Sequence, residues 1–540
     1  MKTLIQLDDL NLDAAAKIQV AALVQALLDQ AKIESAKYYE ADIHAKDLKI
    51  QALILELAHL RRIRYGVKNE ALSSIQRDLF QEACNEDIAA LEAEVEQVEN
   101  EQASSTDTKP KRPRAGRQPL PPHLPRIDHL HEPESCQCGR CGKDLVKIGE
   151  DITEQLDVEP AKFFVHRHIR PQYACRPCET ITAAPIPPAI IDGGMAAIGL
   201  LTWVMVSKYL DHLPLYRLEQ IAARDQVILA RSTLAEWVGR TGVALQPLAD
   251  RLSEILLERG TIHADETPVP QLDPGSGKTK RAYLWAYRSN DLEDGPRIIV
   301  FDYRGGRSGE HARQFLGTWQ GHLLVDDYGG YKALFSTARQ EGSPCIELGC
   351  WAHARRKFFD LHKANASSMA LEALTRIGQL YAIEQQGKTL EIAARQQLRA
   401  EHSRPILDAL HQWLTQTRIN TANGGGSAKA IDYTLKRWTA MVRYAETGHL
   451  PIDNNPVENT IRSIALGKKN WLFAGSERAG QRAAAIQTLL GTAKLNGIDP
   501  AGWLRDTLEK LPTWPNSRID ELLPFAHPAE EGKAQDDNDG

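Results

Sequence analysis

The stretch Thr261-Ile-His-Ala-Asp-Glu-Thr-Pro-Val-Pro270 decides the fold when it is set beside His322-Leu-Leu-Val-Asp-Asp-Tyr328. Thr261–Ala264 and His322–Val325 are short β-type runs, and each is followed at once by an aspartate, Asp265 and Asp326. Working outward, Tyr283–Arg288 and Arg297–Tyr303 read as two further strands and Gly309–Leu316 as a helix. Cys345–Leu348 reads as a fifth strand, and Ala352–His362 as the helix that closes the run.

Three strands, a helix, a strand and another strand is the order of an RNase H-like α/β domain. There the first three strands are antiparallel and the later ones add in parallel, so the first and fourth lie side by side. Asp265 and Asp326 then converge at neighbouring strand ends. Two such carboxylates repel unless a cation sits between them, and hard oxygen ligands suit Mg²⁺ or Mn²⁺. A third carboxylate is expected from a later helix, and Glu458 in Asp453-Asn-Asn-Pro-Val-Glu-Asn-Thr-Ile-Arg462 is the candidate. The competing reading of Glu458 is a capping box, with Asn455 as N-cap, Pro456 at N1 and an ion pair to Arg462 one turn on. The two aspartates at matched strand ends tip the reading toward metal.

The rest of the chain is of ordinary globular composition. Its 540 residues are 42% hydrophobic and 25% charged, with a formal charge of -6, which excludes a disordered or fibrous protein and implies three or four domains. The longest near-continuous apolar run, Met195–Val206, is 12 residues, against roughly 20 needed to span a bilayer. The opening MKTLIQLDDL meets acidic residues before a leader's apolar core can form. A soluble, cytoplasmic protein is expected, with no membrane partner.

Before the strands lie several distinct segments. Residues 1–103 are helical by pattern, with heptad-like seams at Ile50, Leu53, Leu57, Leu60 and at Ile88, Leu91, Val95, Val98. These read as coiled-coil pairing, within the chain or between protomers, or as bundle helices; the acidic tract 82–101 reads as a solvated face. Residues 104–125 are a basic, proline-rich linker in which Lys111, Arg112 and Arg114 can follow a phosphate backbone. Residues 126–188 carry Cys138-x2-Cys141 and Cys175-x2-Cys178 around β-type sequence, the arrangement of a tetrahedral Zn²⁺ site closed by a hairpin, with Cys136 as a spare thiol. Residues 189–257 contain a helix-turn-helix-like pair, Leu215–Ala223 and Ser232–Gly239, with Arg231 at the turn and Ser232 as N-cap.

The acids divide the remainder. A first part of the core at 258–363 is separated from a second at 446–494 by a helical insertion at 364–445, and 495–540 form a C-terminal element with an acidic tail. Basic residues cluster near the acids: Arg355, Arg356 and Lys357 on one helix, and Arg462, Lys468 and Lys469 after Glu458, with Arg478 and Arg482 beyond. Such cations position nucleic acid without reading its sequence. Trp351, Trp471 and Phe473 read as core, and His353 either as core or as a substrate contact.

At this point a family resemblance is legible. His263-Ala-Asp-Glu-Thr-Pro-Val-Pro270, Val325-Asp-Asp-Tyr-Gly-Gly-Tyr331, Cys350-Trp-Ala-His-Ala-Arg-Arg-Lys-Phe358 and Asn454-Asn-Pro-Val-Glu458 through Leu466-Gly-Lys-Lys-Asn-Trp-Leu-Phe-Ala-Gly-Ser476 resemble the DDE transposases of the insertion-sequence sixty-six family, TnpC type. Leu60–Gly66, Ile148–Gln155, Leu495–Pro500 and Arg518–Pro524 extend the likeness in collinear order over roughly residues 50–525. The resemblance implies a catalytic triad of Asp265, Asp326 and Glu458, and zinc on Cys138, Cys141, Cys175 and Cys178. It also implies double-stranded DNA as partner, both element ends and target, and small accessory proteins of the same element. One departure is Asp327, where the family has glycine; strand alternation favours Asp326, with Asp327 left open.

The expectation is a nucleoid-associated transposase that binds terminal inverted repeats, cleaves them with Mg²⁺ or Mn²⁺ and joins the ends to target DNA. Pairing two ends implies at least a homodimer. The rivals are a zinc-containing DNA-binding regulator with an inactive RNase H-like domain, and a repair or RNA nuclease on the same fold.

Overall fold

In the computed structural model, the described residues are 120–132, 137, 143, 146–159, 162–273, 278–336 and 345–525, preceded by a helical segment at 85–96 and isolated helical positions between 46 and 57 and at 98. The chain forms two compact units, 1–66 with 91–116, and 67–90 with 117–540. The seam positions other than Leu60, which lies outside the described residues, are helical, and Ile88, Leu91 and Val98 are buried. The acidic tract is not solvated throughout. Glu86 and Asp87 are buried and paired with Arg482 at 3.1 and 3.0 Å.

A small sheet comes first in the larger unit. β1 (Arg126–Leu130), β2 (Val146–Glu159), β3 (Lys162–Cys175) and β4 (Thr180–Ala183) take the order β1-β3-β2, with β4 added to the end of β3. β2 and β3 are a long antiparallel hairpin, whereas β1 lies parallel to β3. The β-branched and aromatic run Phe163-Phe-Val165 turns its bulk inward, as such residues favour a half-buried pleated surface.

Three helices follow: α1 (Ile198–Tyr209), α2 (Leu215–Arg224) and α3 (Arg231–Leu256). The expected second helix of the pair is far longer than Ser232–Gly239. Its apolar period continues unbroken through Leu245, Leu248, Leu252 and Leu256, all buried, so nothing stops it at Gly239. Ser232 lies inside it, and Ala230, which makes no side-chain cap, precedes it.

The central sheet contains β5 (Thr261–Asp273), β6 (Lys278–Ser289), β7 (Ile299–Arg304), β8 (His322–Val325) and β9 (Ile346–Gly349), in the order β7-β6-β5-β8-β9. The first three are antiparallel; β8 and β9 run parallel to β5. Between β7 and β8 lies α4 (Gly309–Leu316), at the bounds expected for it. β5 continues nine residues past Ala264, because β6 pairs with it as far as Asp273↔Lys278. β8 accompanies it only to His263↔Leu324. Beyond that point Pro268 and Pro270 sit where the outer edge needs no N–H donor, and Ala474 closes the edge through bonds to Pro270 O and Leu272 N, both 2.9 Å.

Both faces of this sheet are covered. Ile262, Ala264, Trp285, Tyr287, Leu323 and Val325 join α1–α4 in one core. On the other face, α11 (Asn455–Trp471) lies over Ala282, Leu284, Ala286 and Phe301 through Val457, Ile461 and Ile464. Leu324 and Leu348 on that face belong to a helical cluster built from α5 (Trp351–Asn365), α6 (Ser368–Gly387), α8 (Arg404–Ile419), α9 (Gly426–Lys436) and α10 (Trp438–Val442), with α7 (Ile392–Leu398) between α6 and α8 in the chain. The chain closes with α12 (Glu477–Leu495) and α13 (Pro500–Lys510). No helix among the described residues is long and apolar enough to cross a membrane.

Candidate active site

Asp265 and Asp326 each stand two residues past the last β5–β8 pair, and so are level with one another where β8 ends. Alternation fixes their side. Leu323 and Val325 face one core and Leu324 the other, and the same period carries Asp326 to the Leu324 side, where His263 and Asp265 also point. Asp326 then turns the chain by accepting Tyr328 N–H at 2.8 Å. Its neighbour Asp327 is exposed.

Glu458 reaches the same place from α11. The start of that helix is bolted to β5 by Asn454, which is fully buried. Its amide donates to Ala264 O at 2.8 Å, its Oδ1 lies 3.0 Å from His263 Nδ1, and its own backbone N–H meets Cys350 Sγ at 3.2 Å. Asn454, not Asn455, precedes the helix, and its side chain makes no cap bond. The capping box considered for Glu458 does not form. Instead Glu458 Oε1 lies 3.5 Å from His353 Nδ1, and Oε2 lies 3.6 Å from an Arg356 nitrogen.

Electrostatics tie the three acids together. The Asp265 carboxyl is pushed up to about 8, first by burial, then by the charge of Glu266, with Asp326 and Glu458 adding to it; the Glu266 N–H, donating at 2.8 Å, opposes the rise. The charges of Asp326 and Glu458 thus reach Asp265, although among the described residues the only three His, Cys, Asp or Glu donors within 4.8 Å of one another are those of Cys350, His353 and Glu458. Glu458 Oε1 and His353 Nδ1 are buried without a hydrogen-bond partner among the described residues. Cys350 lies within 4.8 Å of both, but burial pushes its thiol up to about 12. Its Sγ accepts the backbone N–H of Asn454.

Glu266 points to the opposite side of β5. It accepts from Arg307 Nε and Tyr331 Oη, both at 2.8 Å, while the Arg307 guanidinium stacks 3.9 Å over Tyr328 and the Tyr328 hydroxyl bonds the Arg307 carbonyl. This network holds the loop after Asp326. Sequence reasoning missed it, although Tyr328 and Tyr331 three apart after an aspartate were a usable signal. A cleft opens from Asp326 past Arg307, His353, Arg356 and Lys357, with the Lys357 ammonium 4.4 Å over the Tyr433 ring.

The other expected site residues fare unequally. Arg355, Arg462 and Lys469 are exposed, whereas Lys468 donates to Pro268 O at 3.1 Å and Arg231 pairs with Glu219 at 3.1 Å. Arg482 is a correction: it is buried against Glu86 and Asp87 and is no part of a basic surface. Lys111, Arg112, Arg114, Cys138 and Cys141 lie outside the described residues. Cys175 ends β3 and Cys178 lies in the turn after it. The pairing Val146↔Ala174 brings the start of β2, five residues past Cys141, to the same end of the hairpin as Cys175. Trp351 is fully buried, and Trp471 and Phe473 pack inward.

Residues 193–482, which hold the central sheet, the acids and the helical cluster, match the family described as Transposase IS66 family. The chain belongs to that transposase family. Residues 135–179 match the zinc-finger binding domain of transposase IS66, residues 488–525 the IS66 C-terminal element, and residues 52–128 the Transposase C of IS166 homeodomain. Among its relatives are three proteins of Sinorhizobium fredii (strain NBRC 101917 / NGR234). Uncharacterized protein y4qI is 37% identical over 484 residues, 88% of this chain and 89% of the relative. Uncharacterized protein y4jD is 35% identical over 501 residues, 90% and 96% of the two chains, and Uncharacterized protein y4hP is 34% identical over 493, 88% of each.

Proposed function

We propose that this protein is a DDE-type cut-and-join enzyme with an RNase H-like core, in which Asp265, Asp326 and Glu458 hold Mg²⁺ or Mn²⁺. The observation that supports the reading is the level placement of Asp265 and Asp326 where the β5–β8 pairing ends, with Glu458 in the first turn of α11 adding its charge to the raised Asp265 carboxyl. Bound divalent ions would activate a water or a 3′-hydroxyl and offset charge on the phosphoryl transition state. The chain's own residues do the rest. Arg307, Arg356 and Lys357 receive backbone phosphates along the cleft, Asn454 fixes the approach of α11 to β5, and His353 orients Glu458.

The cysteine module holds structural Zn²⁺ on Cys138, Cys141, Cys175 and Cys178. Together with the basic linker and the exposed start of α3, it engages the inverted repeats of the element. The protein acts at the nucleoid as a homodimer or higher synaptic complex, with accessory proteins of its element. The test is movement in cells of a marked element carrying its own ends and neighbouring genes, with Glu458→Gln as comparison at equal abundance. Movement by the natural protein alone supports the reading; movement by both makes Glu458 structural. Binding of end DNA that persists in EDTA, with no cleavage by either protein, supports a DNA-binding regulator instead.

A further inference from the structure

We propose that Cys350, His353 and Glu458 hold a late first-row divalent ion such as Zn²⁺, and that this ion inhibits the enzyme by drawing Glu458 away from the hard cation of the acidic trio. The inhibition rests on the function proposed above; the binding of the ion does not.

The three donors come from two helix starts that the fold presses together. Cys350 precedes α5 and His353 lies in its first turn, three positions apart and so on one side of the helix. Glu458 meets them from the first turn of α11. Asn454 holds that turn in place, with its amide on Ala264 O and its backbone N–H on Cys350 Sγ at 3.2 Å. Cys-x2-His is a ligand spacing visible in the sequence, but only the packing of α11 on α5 supplies the third donor.

The donor atoms of the three residues all lie within 4.8 Å of one another. Glu458 Oε1 and His353 Nδ1 stand 3.5 Å apart, both buried, and no hydrogen bond joins them or satisfies either one among the described residues. Around a tetrahedral ion at about 2.0–2.1 Å, a nitrogen and an oxygen stand roughly 3.4 Å apart, and a sulfur at about 2.3 Å stands roughly 3.6 Å from each. The nitrogen–oxygen pair already has that separation. Turning His353 and Glu458 about their side-chain torsions brings them onto the sulfur.

The chemistry of the set selects the ion. A thiolate and an imidazole beside one carboxylate suit zinc-class ions and not Mg²⁺. Burial disfavours the Cys350 thiolate, while the backbone N–H groups of Asn454 and His353 favour it. Coordination deprotonates a thiol outright, and the proton leaves to solvent as the metal–sulfur bond forms. The cleft that runs from Asp326 past His353 gives the ion its way in, and water can take the fourth position. With Oε1 bound to zinc, Glu458 has less charge to offer a hard cation.

The test uses the full chain with its cysteine module already filled with Zn²⁺. Added Co²⁺ is expected to bind as one equivalent, with tetrahedral d–d bands and sulfur-to-cobalt charge transfer, and without release of zinc. Cys350→Ser is expected to lose the charge-transfer band. His353→Gln keeps the sulfur and serves if the serine variant fails to fold; it is expected to bind that cobalt at least about 10-fold more weakly. The same cobalt spectrum and affinity in the natural protein and the folded variants, or cobalt taken up only as zinc is released, overturns the site. In Mg²⁺-dependent cleavage of end DNA, added Zn²⁺ is expected to slow the natural protein, and half-inhibition of Cys350→Ser should need at least about 10-fold more zinc. Equal zinc sensitivity overturns the inhibition. If neither protein cleaves in Mg²⁺, the function proposed above fails, and the cobalt spectrum still decides the site.

Discussion

The side chain of Asn454 is hydrogen-bonded to that of His263 at 3.0 Å, across 191 positions of sequence. With its second bond, to Ala264 O, the asparagine takes the place of the next residue of β8 and joins the first turn of α11 to the strand that carries Asp265. Asn454→Ala is expected to leave His263 Nδ1 and Ala264 O buried and unpaired. At about 1–3 kcal/mol for each unsatisfied group, stability should fall by roughly 2–6 kcal/mol in denaturant unfolding. Asn454→Asp, which still accepts from His263 but cannot donate to Ala264 O, should fall between the two. Equal stability of all three proteins would remove the bolt from the account.

Asp265→Asn, Asp326→Asn and Glu458→Gln are each expected to lower metal-dependent cleavage of end DNA by roughly 10³-fold or more, since several kcal/mol of transition-state stabilisation depend on the ions. Asp327→Asn should stay close to the natural rate, because that side chain is exposed at the rim of the cleft and alternation along β8 favours Asp326. A severe loss in Asp327→Asn with Asp326→Asn unaffected would exchange their roles.

Arg482 and Lys469 should behave as opposites. Arg482→Ala leaves buried Asp87 with the Ser476 hydroxyl but no cation, and Glu86 with Lys208 alone, and is expected to cost about 3–5 kcal/mol of stability. Where that variant is folded, its DNA affinity should show the natural salt dependence. Lys469→Ala should be as stable as the natural protein while the slope of log affinity against log salt falls by about one. Salt titration of binding, paired with unfolding curves, separates the two.

Cys175→Ser or Cys178→Ser is expected to remove one equivalent of zinc and to loosen the end of the β2–β3 hairpin that meets β4. Treatment with a strong zinc chelator should do the same to the natural protein. Metal analysis with hydrogen exchange over 170–183 checks both, and unchanged zinc in the serine variants would withdraw the cysteine assignment.

Arg307→Ala is expected to weaken cleavage more than DNA binding. Its guanidinium pairs with Glu266 and stacks on Tyr328, so its loss frees the loop that sets Asp326 as well as removing a cleft cation. Arg307→Lys should restore part of the binding but little of the rate, since an ammonium cannot make the forked, stacked contact. Parallel loss of binding and cleavage would reduce Arg307 to a phosphate contact.

What the chain by itself determined was whatever local period and local chemistry write. The extent of α4 and of β8 was legible because each is a short apolar pattern bounded by turn residues, and the strand order followed from their sequence along the chain. The placement of Asp265 and Asp326 at neighbouring strand ends was legible because each follows directly on a short apolar run. Strand length was not, since β5 runs on to Asp273 only because β6 and Ala474 lie beside it. Nor was the length of α3, the burial of Arg482 with Glu86 and Asp87, or the partnership of Asn454 with His263. Each of these depends on residues tens to hundreds of positions away, brought together by packing. The same holds for His129, His131, His166 and His168 on the small sheet: the pleat aligns each pair, but only the parallel register of β1 on β3 lays one pair beside the other.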